Sequence, residues 1–360
     1  MKVREIYEAL NSFAPFNLQE KWDNSGILVG DKNADVKKAL LTLDVTEDVI
    51  KEAEQIGANL IISHHPLIFN PLKKVLSDSL VYKIIKKDMN VISAHTNLDI
   101  SPLGVNYALA EAIGLKNTKP LTVLKKENYK AISVFVPVDY VEEVKKAVCE
   151  NGAGEYKNYS NCTFTCDGRG EFKPLEGAEP FIGEKGNIAS TQECEIKFIC
   201  PSSNLSEVIN AMKEAHPYEV PAYNIFENEA LFNEVYIGLV GECKKVTARE
   251  LAKSIKNSLG AGAVRLVNGD KIVEKLALCS GSGIDFIGDG LAQGADAYLT
   301  GDVKHNHMVD ALNNDYALID AGHFPTENIV LPHLKKLLEE RCSGAEFFVA
   351  KESKDPSEYI

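Results

Sequence analysis

The sequence predicts an α/β protein in which a discontinuous metal-binding domain carries an inserted α+β domain. Three observations lead to this prediction. Apolar runs alternate with amphipathic segments at both ends of the chain, the pattern changes between residues 125 and 235, and several apolar runs end in histidine or a carboxylate. With 360 residues and 45% hydrophobic content, the chain is long enough to build more than one core.

The first outer segment, residues 1–124, has the rhythm of strand-helix-strand crossover units. Its apolar and amphipathic stretches lie at residues 38–43, 48–56, 59–63, 80–87 and 91–93. Strands that alternate with helices of this length predict a parallel or mostly parallel sheet. The same rhythm returns in residues 236–360, where strands are predicted at 275–279, 296–300 and 316–320 and a helix near 327–341.

The middle segment, residues 125–235, predicts a different plan. A strand and a helix are expected at 131–137 and 141–151, and again at 193–200 and 205–215. With further strands around 162–164 and 222–226, the order becomes βαββαβ, which is the ferredoxin-like plan. We therefore predict that this segment is an insertion and that the segments on either side of it form one domain.

The composition predicts a cytoplasmic protein that contacts neither membranes nor nucleic acid directly. Eight cysteines are scattered without a CxxC pair, as expected of reduced thiols. The first four residues are followed by Glu5 instead of an apolar signal segment, and no run approaches the roughly 20 apolar residues of a membrane span. The net charge of -13 disfavours a general electrostatic attraction to nucleic acid or anionic membranes.

Metal-ligand residues follow four of the predicted strands. They are His64 and His65, His95 and Asp99, Asp302 with His305 and His307, and His323 with Glu327. Because the carboxyl ends of strands in an open α/β sheet line one crevice, these groups can converge in space. Each one alone has an ordinary explanation, such as a turn histidine or a helix cap. In a chain with only eight histidines, however, their conjunction predicts a metal site.

Adjacent histidines favour two ions over one. Successive side chains diverge, so His64 and His65 are expected to reach different ions, which Glu327 or Asp99 could bridge. Two ions about 3.5–4 Å apart are suited to activating a water between them. Imidazole and carboxylate ligands fit zinc, manganese or iron equally well. His305 is predicted either to hydrogen-bond to a metal ligand or to donate a proton near the ions, and the alternative is a solvated surface histidine.

A glycine-rich loop follows the predicted strand at 275–279 and opens a helix. Its residues are Ser280, Gly281, Ser282 and Gly283. Free amides at the start of a helix hold anions, so the loop is predicted to bind the phosphate of a nucleotide. It lacks the lysine of a Walker motif and does not match GxGxxG, and a tight turn is the alternative interpretation.

Six motifs in the outer segments resemble the Nif-three-like family (NGG-interacting factor three), whose members are labelled type 2 homologues of GTP cyclohydrolase I. The motifs are WDNSGILVG (22–30), LDVT (43–46), SHHPL (63–67), AHTNLD (94–99), TGD (300–302) and DAGH (320–323) with Glu327. The middle segment resembles the PII/CutA-like insert of longer bacterial members through GAGEY (152–156), GAEP (177–180) and HPYEVPAY (216–223). The resemblance covers nearly the whole chain.

The resemblance implies a site with two divalent metal ions per chain. Its ligands would be His64, His65, Asp99, His323 and Glu327, with His95 beside them as a catalytic residue. It also implies a toroidal homohexamer with the metal sites facing an inner cavity. The segment around His305 is variable in the family, which weighs against a catalytic role for His305.

The leading hypothesis for function is a metal-dependent hydrolase that acts on a nucleotide or a related small molecule. The family label would require water attack on the guanine ring of GTP, whereas the predicted site fits phosphoester hydrolysis equally well. The alternative is a non-enzymatic metal-binding regulatory or scaffold assembly in which the insert senses a ligand. A transcription-linked adaptor, suggested only by the family name, is disfavoured by the acidic charge.

Overall fold

Two separate stretches of the chain, Met1–Leu124 and Tyr236–Ile360, form one compact unit, and Lys125–Val235 forms a second. The computed structural model describes residues 1–358 and 360. The interpretation of the second unit as an inserted PII/CutA-like domain stays a prediction. Among the described residues, no helix combines the length and the apolar character that crossing a bilayer requires.

The strands and helices are numbered here in chain order. The strands are β1 (Gly26–Val29), β2 (Lys38–Thr42), β3 (Leu60–Ser63), β4 (Asn90–Ser93), β5 (Lys116–Pro137), β6 (Thr163–Phe172), β7 (Ala189–Pro201), β8 (Tyr223–Thr247), β9 (Arg265–Val267), β10 (Ile272–Leu278), β11 (Ala297–Thr300), β12 (Ala317–Asp320) and β13 (Glu346–Val349). The helices are α1 (Val3–Asn11), α2 (Glu47–Ile56), α3 (Leu80–Lys86), α4 (Thr96–Asp99), α5 (Val105–Ala112), α6 (Val141–Glu150), α7 (Leu205–Ala215), α8 (Ala248–Leu259), α9 (Ile287–Ala292), α10 (His305–Asn313), α11 (His323–Asn328) and α12 (Val330–Arg341).

The first sheet of the first unit has the strand order β1-β4-β3-β2-β13. Its strands pair in parallel, except that β1 is antiparallel to β4. Successive residues of β3 enter different cores: Leu60 and Ile62 pack in the cluster with α1 and α12, and Ile61 packs in the cluster with α2 and α3. A strand with both faces covered needs a continuous apolar sequence, which explains the unbroken apolar run before His64.

The second sheet of the first unit contains β8-β10-β11-β12-β9 in that order. Its three central strands are parallel, and β8 and β9 pair antiparallel at the sides. The α/β class is confirmed, in the form of two mixed sheets. The sequence pattern did not separate one sheet from two, because strand periodicity reports which faces are buried and not which strands pair.

The second unit has the element succession β-α-β-β-α-β, from β5 through α6, β6, β7 and α7 to β8. Its strands lie in the order β6-β7-β5-β8. Helices α6 and α7 place Val144, Val148 and Met212 in a core with Ile196 of β7. The strands and helices predicted for residues 125–235 are therefore present.

The helix predicted near 327–341 is two helices in the structure. Helix α11 (His323–Asn328) ends before α12 (Val330–Arg341) begins. The earlier start matters for function, because His323 and Glu327 then lie four residues apart on one helix. Side chains at that spacing share a helix face.

Candidate metal centre

His64 and His65 directly follow β3, at the carboxyl end of that strand in the first sheet. Beyond β3, the amide of His64 donates to the carbonyl of Thr42 at 3.1 Å, and that of His65 donates to the carbonyl of Leu43 at 2.9 Å. The two rings, held on an extended backbone, have centroids 5.1 Å apart at an interplanar angle of 39°. Adjacent histidines therefore present two separate Nε2 atoms to the same crevice.

The second contribution comes from the end of β4. His95 follows the strand, and the single turn α4 brings Asp99 back beside it, with the Asp99 amide donating to the His95 carbonyl at 3.1 Å. Asp23 organises this turn. One of its oxygens contacts His95 Nδ1 at 2.9 Å, and the other accepts from the amide of Thr96 at 3.1 Å.

The third contribution comes from the second sheet and depends on glycines. After β12, Gly322 adopts a φ of 88° and leads into α11, which carries His323 and Glu327. Gly281 has a φ of 58°, and a Cβ on it would lie 2.0 Å from Glu327 Oε1. Only glycine leaves this space open, so Gly281 permits the Glu327 carboxylate to occupy its position.

The Glu327 carboxylate is the centre of the arrangement. Its Oε2 lies 2.9 Å from His323 Nε2, 3.0 Å from His65 Nε2 and 3.8 Å from His64 Nε2. His64 Nε2 is also 3.6 Å from Asp99 Oδ1. Three groups have ligand atoms within 4.8 Å of one another: His64, His65 and His95; His65, His323 and Glu327; and His64, Asp99 and Glu327.

Every histidine of the cluster is held through its other ring nitrogen. The Nδ1 atoms contact the Ala94 carbonyl at 2.8 Å (His64), Asp44 at 2.8 Å (His65), Asp23 at 2.9 Å (His95) and Asp302 at 2.7 Å (His323). Such contacts fix the ring orientation and make Nε2 a better ligand, and metal-bound histidines in proteins usually have a contact of this kind. The sequence analysis counted Asp302 among the strand-end groups but gave Asp23 and Asp44 no role. Their only signal was their place in the motifs at 22–30 and 43–46.

The buried polar atoms fit a cation. His64 Nε2 and Asp99 Oδ1 are both buried, and neither has a hydrogen-bond partner among the residues that the structure describes. Because the Ala94 carbonyl can only accept, His64 Nδ1 carries the proton and Nε2 presents a lone pair. Burial lowers the pKa of His64 to about 4, which keeps this imidazole neutral. A buried lone pair facing an unpartnered carboxylate oxygen is a donor set that a divalent ion would satisfy.

Without a bound ion, protons on the neighbouring side chains offset the negative charge of the carboxylates in the cluster. Burial lowers the pKa of His65, but hydrogen bonds to Asp44 and Glu327 outweigh it and raise the pKa to about 10. The hydrogen bond to Glu327 raises the pKa of His323 to about 9. Burial, reinforced by the Glu327 charge, raises the pKa of Asp99 to about 7. Metal ions would displace these protons, since an imidazole must be deprotonated at the coordinating nitrogen.

A cavity of about 510 Å³ opens beside the cluster. Its walls include His65, His323, Asp302 and Arg265. Arg265 donates to the carboxylate of Asp320 and, at 2.6 Å, to the carbonyl of Val303. The volume lies within the range of small-molecule sites, about 300–1,000 Å³.

Two exposed aromatic rings lie beside His95. Trp22 is 57% exposed and Phe69 is 47% exposed, and their ring centroids are 5.9 Å apart. The Trp22 ring is 5.9 Å from the His95 ring, and Phe69 is 6.5 Å from it. Exposed aromatic faces beside a polar cluster can stack on a planar ligand.

The predicted proton donor lies apart from the cluster. His305 is the first residue of α10 and is exposed. The ligand groups found among the described residues do not include it. This position agrees with the alternative interpretation, a solvated surface histidine, and a catalytic role for His305 stays a prediction.

The glycine-rich loop uses its amides inside the protein. The amide of Ser280 donates to Asn106 Oδ1 at 2.9 Å, that of Gly281 to Thr326 Oγ1 at 3.0 Å, and that of Gly283 to Thr300 Oγ1 at 2.9 Å. Three of the four amides of the loop are thus engaged inside the protein, which agrees with the tight-turn interpretation. Phosphate binding by Ser280, Gly281, Ser282 and Gly283 stays a prediction, and Gly281 contributes to the candidate metal centre through the space that it leaves for Glu327.

Comparisons with known proteins agree with the motifs. The model of the family described as Duf34/NIF3 (NGG1p interacting factor 3) matches residues 1–356. A Bacillus subtilis protein named GTP cyclohydrolase 1 type 2 homolog is 36% identical over 367 residues, covering 99% of this chain and 98% of its own length. A homologue with the same name from Staphylococcus epidermidis is 36% identical over 345 residues, covering 94% of this chain and 93% of its own.

Solved structures give the same relationship. The crystal structure of a Bacillus cereus protein related to NIF3 superimposes with a TM-score of 0.77 at 37% identity, covering 100% of this chain and 99% of that one. The crystal structure of a Staphylococcus aureus protein gives a TM-score of 0.74 at 31% identity, with 100% and 99% coverage.

Proposed function

We propose that this chain, which belongs to the Duf34/NIF3 family, binds two divalent metal ions and is a metal-dependent hydrolase of a nucleotide or a related small molecule. The observation that carries the proposal is the position of Glu327, whose Oε2 lies 2.9–3.8 Å from three imidazole nitrogens. One of these imidazoles is neutral, and metal ions would displace the protons of the other two. A carboxylate that three such imidazoles share is well suited to bridging two cations.

The donor groups divide naturally between two ions. His65 and His323 would hold one ion with Glu327, and His64 and Asp99 would hold the other with the same carboxylate. His95, which groups with His64 and His65, would be either a further ligand or the residue nearest the reacting water. Zinc, manganese and iron(II) all suit such mixed nitrogen and oxygen ligands.

The chemistry of the pair would be hydrolytic. Two such ions supply a water of lowered pKa and offset negative charge on a substrate oxygen. The protein's own contribution is positional: Asp44, Asp302 and Asp23 hold the imidazoles, and Gly281 leaves room for the Glu327 carboxylate. The ligands are thus oriented before any ion or substrate arrives.

Two features next to the cluster, a cavity and a pair of exposed aromatic rings, support a nucleotide-like substrate. The adjoining cavity of about 510 Å³ has room for an anionic group, whose charge the metal ions would offset, since Arg265 in the wall already pairs with Asp320. The exposed rings of Trp22 and Phe69 offer a stacking surface to a planar base. Hydrolysis of the guanine ring of GTP, after which the relatives are named, and hydrolysis of a phosphoester both remain within the proposal.

Elemental analysis combined with turnover tests the proposal. Protein purified without chelator and reloaded separately with zinc, manganese or iron(II) should contain two ions per chain by inductively coupled plasma mass spectrometry. Each form is then incubated with GTP and a panel of nucleotides and phosphoesters, with products followed by liquid chromatography and mass spectrometry. If two ions are bound but no product forms across the panel, the hydrolase part of the proposal is wrong and the metal-binding part stands.

The assembly and location belong to the same proposal. A homohexamer, as the family resemblance implies, would give the mass of six chains by light scattering, and a monomer would contradict it. All eight cysteines are free in the structure, which supports a location in the reducing cytoplasm.

The second candidate function is a non-enzymatic regulatory assembly in which the metal ions are structural and the second unit senses a ligand. A large cavity in that unit favours this alternative. The decisive comparison is His65→Ala: loss of a robust catalytic activity with assembly retained would exclude the regulatory reading.

A further inference from the structure

The second unit contains a cavity of about 930 Å³ that the proposed metal centre does not use. Its walls come from β5, β6 and β7, from the loop between β6 and β7, and from residues 218–222. All of the residues that line it lie between Phe135 and Ala222, within the second unit. Its volume is that of a site for a small organic molecule.

Aromatic rings form one side of the cavity. The Tyr218 ring lies 5.7 Å from Phe172 at an angle of 60° and 6.3 Å from Phe181 at 50°. Phe181 is 52% exposed, so much of its surface is free to contact a ligand. The faces of such rings attract both apolar groups and cations.

A buried carboxylate lies beside these rings. Glu193 is 9% exposed, and its Oε1 accepts a hydrogen bond of 2.8 Å from the Tyr218 hydroxyl. A Cβ on Gly170 would lie 2.2 Å from Glu193 Oε2, so glycine at this strand position leaves the space that the carboxylate fills. A phenol is a weak partner for a buried negative charge, which ordinarily requires a cation.

Within the part of the chain that the structure describes, no lysine or arginine forms an ion pair with Glu193. Lys197 pairs with Glu195 at 3.1 Å, and the nearest charged contact of Arg169 is Glu171 at 3.8 Å. His216 is uncharged, because its Nε2 donates to the Phe135 carbonyl while its Nδ1 accepts from the Tyr218 amide. Within residues 1–358 and 360, Glu193 therefore has no ion-pair partner.

The charge around the cavity points to the same ligand chemistry. Five carboxylates line it against two cationic side chains; they are Asp167, Glu171, Glu193, Glu195 and Glu219 against Arg169 and Lys173. We propose that this cavity binds an organic cation, with its ammonium group against Glu193 and Tyr218 and its apolar body against Phe172 and Phe181. The site lies outside the metal centre, so the proposal does not depend on the hydrolase.

The test is calorimetric titration of the full-length, metal-loaded protein with the phenethylammonium ion. The neutral analogue 2-phenylethanol and the anion phenylacetate have a similar size and serve as comparators. The cation should bind at least tenfold more tightly than either, because only the cation offsets the Glu193 charge. Equal binding of all three, or no binding of the cation, would overturn the proposal; a second copy of the chain covering the cavity would give the latter result.

Variants locate the binding. Glu193→Gln keeps an acceptor for the Tyr218 hydroxyl but removes the charge, and it should weaken cation binding at least tenfold. Glu143→Gln, an exposed glutamate on α6, removes one charge elsewhere in the unit and should leave the affinity unchanged. Unchanged affinity in Glu193→Gln, or an equal loss in Glu143→Gln, would contradict the assignment.

A second pair of variants covers the case in which Glu193→Gln does not fold. Phe181→Ala removes a half-exposed ring from the cavity wall and should weaken binding several-fold. Phe226→Ala removes a ring of similar exposure, 58%, that does not line the cavity. If both variants bind the cation like the parent protein, the cavity is not the site.

Discussion

The two units of this protein differ in how they balance a buried carboxylate. In the first unit, Glu327 lies among three imidazoles. Hydrogen bonds to Asp44 and Glu327 raise the pKa of His65 to about 10, and the hydrogen bond to Glu327 raises that of His323 to about 9. In the second unit, among the described residues, Glu193 has the hydroxyl of Tyr218 and a wall of aromatic rings but no ion-pair partner. In the proposed functions, the first arrangement would exchange protons for metal ions, and the second would take up a cation that a ligand brings.

The difference also shows in how rigidly each group is held. Each imidazole of the metal centre has its second nitrogen fixed, by Ala94, Asp44, Asp23 or Asp302. The rings of the cavity contact one another, but Phe181 is half exposed. A preorganised donor set suits small ions with demanding geometry, whereas a softer aromatic wall suits organic molecules of less defined shape.

The largest expected effect is the loss of metal binding when Glu327, the buried carboxylate of the first unit, is changed. Glu327→Gln should lower metal affinity by more than about 100-fold, because the loss of a residue that only hydrogen-bonds to a ligand already costs about 10–100-fold, and Glu327 itself belongs to two of the ligand groups. The measurement is metal content after dialysis. His333→Gln is the matched control, since this histidine of α12 contacts the Leu103 carbonyl in the same unit. Two ions per chain in Glu327→Gln would refute the shared-ligand arrangement.

Removal of metal should destabilise the first unit alone. At a free metal concentration about 100 times Kd, bound ions contribute about 2.7 kcal/mol per site to the free energy of unfolding. Hydrogen exchange in a chelator should therefore accelerate in β3 and α11 and stay unchanged in α6 and α7. Equal acceleration in all four elements would mean that the ions stabilise both units.

Asp44→Asn should have a smaller effect. The amide can no longer stabilise charge on the His65 ring, so we expect a loss of about 10–100-fold in metal affinity, mainly at one ion. Competition with a chromogenic chelator measures this loss. Asp48→Asn, which pairs with Lys51 on the surface of α2, should bind metal normally. An unchanged affinity in Asp44→Asn would show that its contact with His65 is unimportant for binding.

The smallest expected effect comes from two glycine variants, which separate the cost of backbone strain from the cost of a steric clash with Glu327. Gly281→Ala and Gly57→Ala both place alanine at positive φ, 58° and 72°, and each should lower the free energy of unfolding by about 1–2 kcal/mol. A Cβ on Gly57 would meet nothing within 4 Å, whereas that on Gly281 would lie 2.0 Å from Glu327 Oε1. Only Gly281→Ala should therefore also lose metal. Denaturant unfolding and metal content together test the pair, and equal metal content in both variants would contradict the role of Gly281.

Much of the fold was predictable because its signals are local. The apolar runs ending at Ser63 and Ser93 form β3 and β4, and the predicted alternation at both ends of the chain is present. The family resemblance drawn from the motifs is confirmed over residues 1–356. The boundary between α11 and α12 was missed, because the sequence remains amphipathic through the break.

The candidate site was predictable in its residue types more than in its construction. His64, His65, Asp99, His323 and Glu327 were all predicted ligands, and the structure brings them together. That they bind metal stays a prediction. The roles of Asp23 and Asp44 were missed, since an aspartate in a turn has many ordinary uses and only its contact with a ring nitrogen reveals this one.

Local sequence is enough to locate the ends of strands and the side chains that stand there, because hydrophobic periodicity acts over a few neighbouring residues. The contact of 3.0 Å between His65 and Glu327, which are 262 residues apart and follow strands of different sheets, exists only in the folded chain. Tertiary structure likewise places Gly281 against Glu327 and Glu193 next to an aromatic cavity. Such contacts follow from the packing of whole elements, which no short stretch of sequence encodes.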